Sequence, residues 1–220
     1  RGCMEMDKKR RLVLLGGGGH CESVLDAAKR MNWFEEIVIT DNHLKAGSEL
    51  MGCRAVGGDE MLPRLFQYGF GMAFVSVGSI KSSRLRRELC RKAEEAGFDF
   101  PNIIDPSAAV SDYGAVGRGI FIGKRAVVNT GARIGDMAII NTGAVIEHGC
   151  RIGAFSHVSV GAVMCGDSEI GDSVFVGANA TIIQGVRIGM NSVIGAGSLV
   201  LRDVGPDSMV RGRLVEEKRI

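Results

Sequence analysis

The fold is decided by residues 140–164, which read INTGAVIEHGCRIGAFSHVSVGAVM. In this stretch every sixth residue is a large apolar one, and the same spacing continues without interruption from Val110 to Val200. A second column, two residues before the first, holds mostly small side chains such as Ala144, Cys150 and Ser156. No helix has a period of six, and a fixed short repeat of this kind is typical of a solenoid.

A six-residue period predicts short strands that each direct one large side chain into a core. β-Branched residues favour strands, and the small residue two positions earlier allows the chain to turn a corner. Three such strands form one coil of about eighteen residues, and about five coils exceed the roughly three repeats that a stable stack needs. The regular spacing disfavours an all-β sandwich, whose turns fall at irregular intervals. We therefore predict a parallel β-helix over residues 106–204, with a C-terminal tail over 205–220.

Residues 8–105 follow a different pattern, in which predicted strands alternate with helices. The strands are Leu12–Leu15, Glu36–Thr40, Met72–Val77 and Phe98–Ile104, and the helices are Cys21–Met31 and Lys81–Ala96. This alternation predicts a small Rossmann-like α/β domain built on a parallel sheet.

A glycine-rich turn, Gly16–His20, stands between the first strand and the first helix. Bare backbone N–H groups and a helix N-terminus favour an anion such as phosphate. Asp41, at the end of the next strand, fits a ribose or base contact. Because Cys21 takes the last place of the G-x-G-x-x-G pattern, nicotinamide dinucleotide binding is disfavoured. A nucleotide that belongs to a substrate and a purely structural turn both stay open.

Composition excludes several classes of partner. The 27 Lys and Arg against 25 Asp and Glu give a net charge of +2, too small for a protein that coats nucleic acid. No apolar run reaches the roughly eighteen residues of a membrane span, and no signal peptide is expected. The six cysteines are scattered without a Cys-x-x-Cys pair, which favours reduced thiols and a cytoplasmic location.

Two histidines interrupt the repeat. His148 follows Glu147 just after an aliphatic position, and His157 lies nine residues further on. Nine residues is half a coil, so the two rings should emerge on well-separated sides of the β-helix and meet only across a subunit boundary. We therefore expect a homotrimer with three shared sites. Two histidines are too few for a three-histidine zinc site, so no metal is expected.

Two segments of the repeat carry a resemblance to a known family. Residues 141–148 (NTGAVIEH) and 152–161 (IGAFSHVSVG), in this order after the loop Gly16–His20, resemble the bacterial nucleotide-sugar N-acetyltransferases with a left-handed β-helix. Those enzymes acetylate the 4-amino group of UDP-linked 4-amino-4,6-dideoxy sugars. The sialic acid O-acetyltransferases form a sister group with the same layout. The resemblance covers nearly the whole chain.

The resemblance implies acetyl-CoA as co-substrate, a nucleotide sugar as acceptor, and a set of roles. His148 would be the general base, with Glu147 as the adjacent acid, and His157 would bond the acetyl group of acetyl-CoA. The cofactor would lie along Gly166, Ala178 and Ala196. The nucleotide sugar would be held by Gly18, Gly19, His20, Asp41, Asn42 and Gly78, with Asn141 near the acceptor.

The chain departs from the family pattern beside the proposed base. The family has an acid directly after that histidine, but this sequence has Gly149, and neighbouring residues on a strand point to opposite faces, so Glu147 is no simple replacement. Cys150 lies in the inward column, which favours direct transfer in a ternary complex over a covalent acyl-enzyme. Two alternatives stay open: a sugar O-acetyltransferase and a non-catalytic trimeric scaffold that binds a nucleotide sugar.

Overall fold

The computed structural model describes residues 10–80 and 82–212, which form two compact units. The first comprises the chain up to Val77 together with Leu85–Pro101, and the second comprises Gly78–Arg84 and the chain from Asn102 onward. The segment Gly78–Arg84, which falls inside the predicted first domain, is thus grouped with the repeat. Residues 8–9 of that predicted domain and residues 213–220 of the predicted tail lie outside the described residues.

The first unit is a five-stranded sheet with helices. Its strands are β1 (Arg11–Leu15), β2 (Glu36–Thr40), β3 (Glu49–Leu50), β4 (Cys53–Gly57) and β5 (Met72–Val75), and its helices are α1 (Gly19–Met31), α2 (Leu62–Gln67) and α3 (Arg84–Glu95), whose first residue is grouped with the other unit. The strand order is β3-β4-β2-β1-β5, and every pair is parallel except β3–β4. Four successive apolar residues of β1, Leu12 to Leu15, are completely buried, as expected of a central strand in a parallel sheet.

Three details of this unit differ from the prediction. The expected strand Phe98–Ile104 does not form: Asp99 makes one isolated bridge to Met72, while Ile103–Ile104 pairs within the β-helix instead. The hairpin β3–β4, which makes the sheet mixed, turns through Met51 and Gly52, both at positive φ. Met-Gly is not one of the dipeptides typical of hairpin turns, so the sequence does not predict this hairpin. Helix α2 was not predicted either.

The second unit is a parallel β-helix of two-residue strands. In three sheets of six, five and seven strands, each strand pairs in parallel with the strand eighteen residues later over most of the stack. The strands β6 to β23 are Ile103–Ile104, Ala109–Val110, Ala115–Val116, Phe121–Ile122, Val127–Val128, Arg133–Ile134, Ile139–Ile140, Val145–Ile146, Arg151–Ile152, His157–Val158, Val163–Met164, Glu169–Ile170, Phe175–Val176, Thr181–Ile182, Arg187–Ile188, Val193–Ile194, Leu199–Val200 and Met209–Val210.

The two inward columns of the β-helix form one core, as predicted. From Ile122 to Val200 every residue of the aliphatic column is at most 3% exposed, and the small residues between Ala126 and Ser192 are completely buried. Val116 is an exception at 41% exposed, because its strand is the edge of the five-stranded sheet. The regular repeat ends at Val200, as the sequence indicates, since the next position of the aliphatic column, six residues later, is Pro206.

Each coil turns three corners, which create three edges along the β-helix. The turn 141–144 joins the seven-stranded sheet to the six-stranded sheet, and we call its stack the first edge. The turn 147–150 leads on to the five-stranded sheet and defines the second edge. The turn 153–156 completes the coil and defines the third edge. Within the described residues, no helix combines the length and apolar character needed to cross a membrane.

Stacked coils approach so closely at some corners that a side chain cannot be accommodated. A Cβ at Gly153 would lie 2.5 Å from the backbone nitrogen of Asp172 on the next coil. We expect Gly153→Ala to force the coils apart at a cost of about 1–3 kcal/mol, which lowers the melting temperature by about 3–10 °C. Gly205→Ala is the control, because the nearest atom to its Cβ would be 3.9 Å away. Equal melting temperatures for the two variants would contradict this account.

Candidate active site

His148 sits in a turn of the second edge that its neighbour Glu147 holds in place. The Oε2 atom of Glu147 accepts hydrogen bonds from the backbone N–H of His148 and from the Nδ2 atom of Asn129, each at 3.1 Å. Cys150 N–H closes the turn onto the carbonyl oxygen of Glu147 at 3.4 Å. The Glu147 carboxylate therefore fixes the backbone that presents His148. It takes this position because residue 129 lies directly under residue 147 in the stack.

The imidazole of His148 lies against Gly166, which occupies the same turn position on the next coil. A Cβ at Gly166 would be 2.6 Å from Nε2 and 3.2 Å from Nδ1 of the ring. His148 is nevertheless exposed to solvent, whereas Gly166 is buried. Two predicted site residues are thus in direct contact, and the absence of a side chain at Gly166 makes the position of the ring possible.

His157 is buried, although it lies in an outward column of the seven-stranded sheet. Its Nδ1 is 2.9 Å from the carbonyl oxygen of Ser79, and its ring packs edge-on against Phe175, with ring centres 5.2 Å apart. The segment Gly78–Arg84 is held to the same sheet a second time, by a 2.8 Å hydrogen bond between Ser83 and Ser173. This segment accounts for the burial of a side chain that the repeat alone would leave exposed.

The hydrogen bonds of His157 define its tautomer. Asn141 Oδ1 accepts the backbone N–H of Thr142 at 2.8 Å. This bond fixes the orientation of the amide, so that its Nδ2 donor faces the ring of His157 and lies 3.2 Å from Nε2. Nε2 therefore accepts, and Nδ1 carries the proton that is donated to Ser79. Asn141 and His157, both predicted site residues, are thus brought together. The role predicted for His157, a hydrogen bond to an acetyl group, would require one of these two bonds to be given up.

The predicted site residues of the β-helix fall on two different edges. Ala178 and Ala196 stack on one another at the first edge, where the N–H of Gly197 bonds the carbonyl of Ala178. His148 and Gly166 stack at the second edge. Between the two edges lies the six-stranded sheet, whose outward side chains are Ala109, Val127, Val145, Val163, Thr181 and Leu199. Within one chain, the predicted site residues of the first edge and those of the second edge are therefore separated by the full width of this sheet.

Cys150, the last residue of the second-edge turn that carries His148, is unsuited to act as a nucleophile. It is completely buried, and burial raises its pKa. Its Sγ lies 3.2 Å from the carbonyl oxygen of Cys165. Since the thiolate is the reactive form of cysteine, a buried thiol with a raised pKa is inert.

In the first unit, the four glycines of the loop fall into two classes. A Cβ at Gly16 would collide with Val77, and a Cβ at Gly17 would lie 3.2 Å from Cγ of Leu44. At Gly18 and Gly19, in contrast, no atom of the described part of the chain, apart from the adjoining backbone, lies within 4 Å of the position of a Cβ. Helix α1 begins at Gly19, and no side chain caps it. The backbone N–H groups there can meet a ligand, and His20 follows within the first turn.

Asp41 and Asn42 are both engaged in hydrogen bonds with the backbone of the first unit. Asp41 accepts N–H bonds from Gly17 at 2.7 Å, His43 at 2.7 Å and Leu44 at 3.2 Å. Partial burial acts to raise the pKa of the Asp41 carboxyl, but these three backbone bonds outweigh it and the pKa is lowered. Asn42 accepts the N–H of Asp59 at 3.2 Å. Asp41 therefore ties the glycine loop to the end of β2.

Comparison with known families matches three models to separate parts of the chain. The PglD N-terminal domain matches residues 11–93. The hexapeptide repeat of succinyl-transferase matches residues 115–148, and the bacterial transferase hexapeptide (six repeats) matches residues 167–202.

Solved structures match nearly the whole chain. A histidine-to-alanine variant of GDP-perosamine N-acetyl transferase from Caulobacter crescentus, in complex with CoA and GDP-perosamine, is 36% identical, with a TM-score of 0.83 over 90% of this chain and 91% of that one. The acetyltransferase domain of PglB from Neisseria gonorrhoeae FA1090, in complex with acetyl coenzyme A, is 33% identical, with a TM-score of 0.83 over 90% and 94%. The chain belongs to the hexapeptide-repeat N-acetyltransferases of nucleotide sugars.

Membership of this N-acetyltransferase family confirms the predicted fold and the predicted use of acetyl-CoA. WeeI from Acinetobacter baumannii AYE, at 18% identity and a TM-score of 0.78, shares the fold. The described residues contain no group of three or more His, Cys, Asp or Glu side chains arranged to hold a metal. The individual roles predicted for the site residues stay predictions.

Sequence reasoning missed the contacts that surround the two histidines of the acetyltransferase. Asn129 lies eighteen residues before Glu147, and Gly166 lies eighteen residues after His148. The period of the repeat could therefore have identified both contacts. No such signal exists for Ser79, because its segment is irregular and reaches His157 from 78 positions away in the sequence.

Because Gly166 makes room for the ring, Gly166→Ala should displace the imidazole of His148. If His148 is the general base, kcat for acetyl transfer should fall about 10- to 100-fold, because misplacement of a catalytic group has an effect of this size. The melting temperature should change little, since the ring is exposed and can move. Steady-state kinetics of thiol release from acetyl-CoA measures the effect, with Gly205→Ala as control. Unchanged kcat would show that the ring position in this structure is not required.

We expect Asp41→Asn to destabilise the acetyltransferase, because a neutral amide is a weaker acceptor than a carboxylate, whose bonds contribute about 1.5–3 kcal/mol each. A lowered pKa means that this stabilisation is present above the unfolded value of about 3.9 and is lost as the pH falls through the folded value. The melting-temperature gap between parent and variant should therefore be about 3–8 °C at pH 7 and shrink below about pH 4. An equal gap at both pH values would contradict this role, and Asp112→Asn, at an exposed turn residue, is the control.

Proposed function

We propose that this enzyme transfers the acetyl group of acetyl-CoA to the amino group of a nucleotide-linked 4-amino-4,6-dideoxy sugar. Relatives at 33–36% identity along nearly the whole chain, with CoA and GDP-perosamine or acetyl-CoA bound, support this choice over a scaffold. The observation that carries it is the solvent-exposed imidazole of His148, seated on Gly166. An exposed, backbone-supported imidazole has the chemistry of a general base.

In the proposed reaction, His148 removes a proton from the amine of the sugar as the nitrogen attacks the thioester carbonyl carbon. A C–N bond forms, the C–S bond breaks, and the thiolate of CoA leaves and receives a proton. Base catalysis of this type contributes about 10²–10⁴-fold. Backbone N–H groups would stabilise the oxyanion that develops, and His157 would do so only after its Nδ1–H releases the carbonyl oxygen of Ser79. Cys150 takes no part, since its buried thiol favours direct transfer in a ternary complex.

The first unit would bind the nucleotide part of the sugar. The open positions at Gly18 and Gly19, at the N-terminus of α1, suit a phosphate group that approaches the backbone directly. Asp41 supports this loop through the N–H of Gly17. We propose that Asp41 contributes to nucleotide binding by shaping the loop. The Caulobacter relative holds a GDP-linked sugar, so guanosine and uridine nucleotides should both be tested.

The proposed assembly is a homotrimer. The site residues on the first edge and those on the second edge lie on opposite sides of the six-stranded sheet of one chain. A threefold assembly would bring the first edge of one chain to the second edge of its neighbour and create three equivalent sites. The outward side chains of the six-stranded sheet, which are apolar or small at most positions, suit such burial between chains. The free cysteines of the described residues fit the proposed cytoplasmic location.

His148→Ala tests the proposed base. With acetyl-CoA and a nucleotide-linked 4-amino sugar, kcat measured by thiol release should fall about 10²–10⁴-fold. Met190→Ala is the matched control, because Met190 is exposed and takes the same turn position on the third edge, which holds no predicted site residue. Turnover of His148→Ala within a few-fold of the parent would show that the base has been misidentified.

The same assay separates the competing functions. The amino sugar and the corresponding hydroxyl sugar are offered side by side to the parent enzyme. Faster thiol release with the hydroxyl sugar would favour an O-acetyltransferase over the proposed N-acetyltransferase. No release with either acceptor, together with no binding of acetyl-CoA, would favour the scaffold.

A further inference from the structure

Asp167 lies on the coil next to the turn that carries His148. The eighteen-residue spacing places Gly166 over His148 and Asp167 over Gly149. The backbone N–H of Asp167 donates to the carbonyl oxygen of His148 at 2.9 Å, so the two turns are joined at this point. Asp167 and His148 are both exposed to solvent. The carboxylate of one coil and the imidazole of the coil before it therefore lie in adjacent columns of the second edge.

The side chain of Asp167 folds back over Gly149. A Cβ at Gly149 would collide with Oδ1 of Asp167 and lie 3.2 Å from its Cγ. The carboxylate therefore fills the space that a side chain directly after His148 would occupy. Gly149 and Asp167 form a complementary pair, because a larger residue at position 149 would displace the carboxylate.

The imidazole of His148 leans toward the same coil. Its Nε2 and Cε1 atoms cover Gly166, the residue immediately before Asp167. Ring and carboxylate thus occupy adjacent columns between the same two turns.

The backbone makes Asp167 unusual at this edge. The third residue of the turn is glycine at positions 131, 149 and 185, and each of these glycines has a positive φ. Asp167 takes the same position in its own turn with the same backbone conformation, at a φ of 57°, although it has a side chain. Left-handed backbone of this kind favours glycine, and Asp or Asn are the next best tolerated. An aspartate stands here where the three coils at positions 131, 149 and 185 have glycine.

Asn179, at the first edge, provides an internal comparison. It also has a positive φ and folds back over a glycine, Gly161, whose Cβ would lie 3.4 Å from Cγ of Asn179. The fold-back is therefore a property of the turn. What distinguishes Asp167 is its negative charge and its neighbour, because the residue before Gly161 is Val160 and the residue before Gly149 is His148.

We propose that Asp167 is a positioning residue for His148. Its carboxylate orients the imidazole and stabilises the imidazolium that forms when a ring nitrogen accepts the proton of the acceptor amine. The carboxylate stays ionised throughout, and the proton stays on the ring until it is passed on. This inference rests on the proposed function, in which His148 is the general base.

The test begins with Asp167→Asn and Asp167→Gly, assayed by thiol release with a nucleotide-linked 4-amino sugar. Asparagine fits this backbone, as Asn179 shows, so Asp167→Asn removes the charge and keeps the shape. We expect kcat to fall about 10-fold or more in both variants, with KM for both substrates within about twofold of the parent. Asn179→Gly removes the same folded-back side chain at the other edge and should leave kcat unchanged. A kcat for Asp167→Asn within about twofold of the parent would overturn the proposal.

Relocation of the carboxylate is the stricter test. The double variant Gly149→Asp with Asp167→Gly returns a carboxylate to the space beside the imidazole, now attached to the other coil. We expect kcat to recover to within about threefold of the parent, whereas Gly149→Ala with Asp167→Gly should stay low. If neither pair recovers, the position of the charge is not what matters, and the proposal fails.

His148→Ala separates this inference from the proposed function. If Asp167 acts through His148, Asp167→Asn should lower kcat/KM in the parent but have no further effect in the His148→Ala background. An equal loss in both backgrounds would overturn the positioning role. Full activity of His148→Ala would refute the proposed base itself, whereas an inactive His148→Ala with a fully active Asp167→Asn would refute only the role of Asp167.

Discussion

The parallel backbone hydrogen bonds between coils, at a spacing of eighteen residues, are the constraint on which the β-helix depends. Each coil donates and accepts the same bonds as its neighbours, as when His157 N–H bonds Val174 and Arg151 N–H bonds Ser168. The bonds leave little freedom in the register, so any residue is stacked on the residue eighteen positions away. The inward aliphatic column is then uniformly apolar, and serines are accommodated in the small-residue column because their hydroxyls bond the backbone, as Ser156 Oγ donates to the carbonyl oxygen of Gly171 at 2.8 Å. Outward columns carry no such restriction, which leaves them available for function.

The same stacking explains how an exposed side chain can be held in place without a surrounding core. His148 has solvent around it, yet its backbone is fixed by the Glu147 carboxylate and its ring rests on Gly166. Asn141 fixes the preceding turn, 141–144, in a similar way and orients His157 with its remaining donor. Polar groups of the turn thus supply the order that packing supplies elsewhere, and sites built on such rigid elements hold their geometry well.

The sequence could predict whatever the period determines, and little that depends on irregular segments. The columns and the separation of His148 from His157 follow from counting in sixes and eighteens. The burial of His157 does not, since it depends on Ser79 and on a segment with no repeat. The predicted strand Phe98–Ile104 failed for a related reason: its apolar residues suit a strand, but Ile103 pairs with Phe121 as the first strand of the β-helix. Local pattern does not determine which sheet a short apolar run joins.

Glycine illustrates how a single residue type carries different information in the two units. In the β-helix the constraint is visible at each position: Gly153 faces the backbone of the next coil, Gly166 faces a ring, and Gly149 faces a carboxylate. In the first unit the glycine loop mixes two cases. Gly16 and Gly17 face apolar side chains, so packing accounts for them. Apart from the adjoining backbone, no atom of the described residues lies within 4 Å of a Cβ at Gly18 or Gly19, and neither residue has a positive φ. Protein packing therefore does not explain why side chains are absent there. The proposed nucleotide, approaching the backbone at the start of α1, would account for the absence, which makes these two positions the strongest structural argument for that proposal.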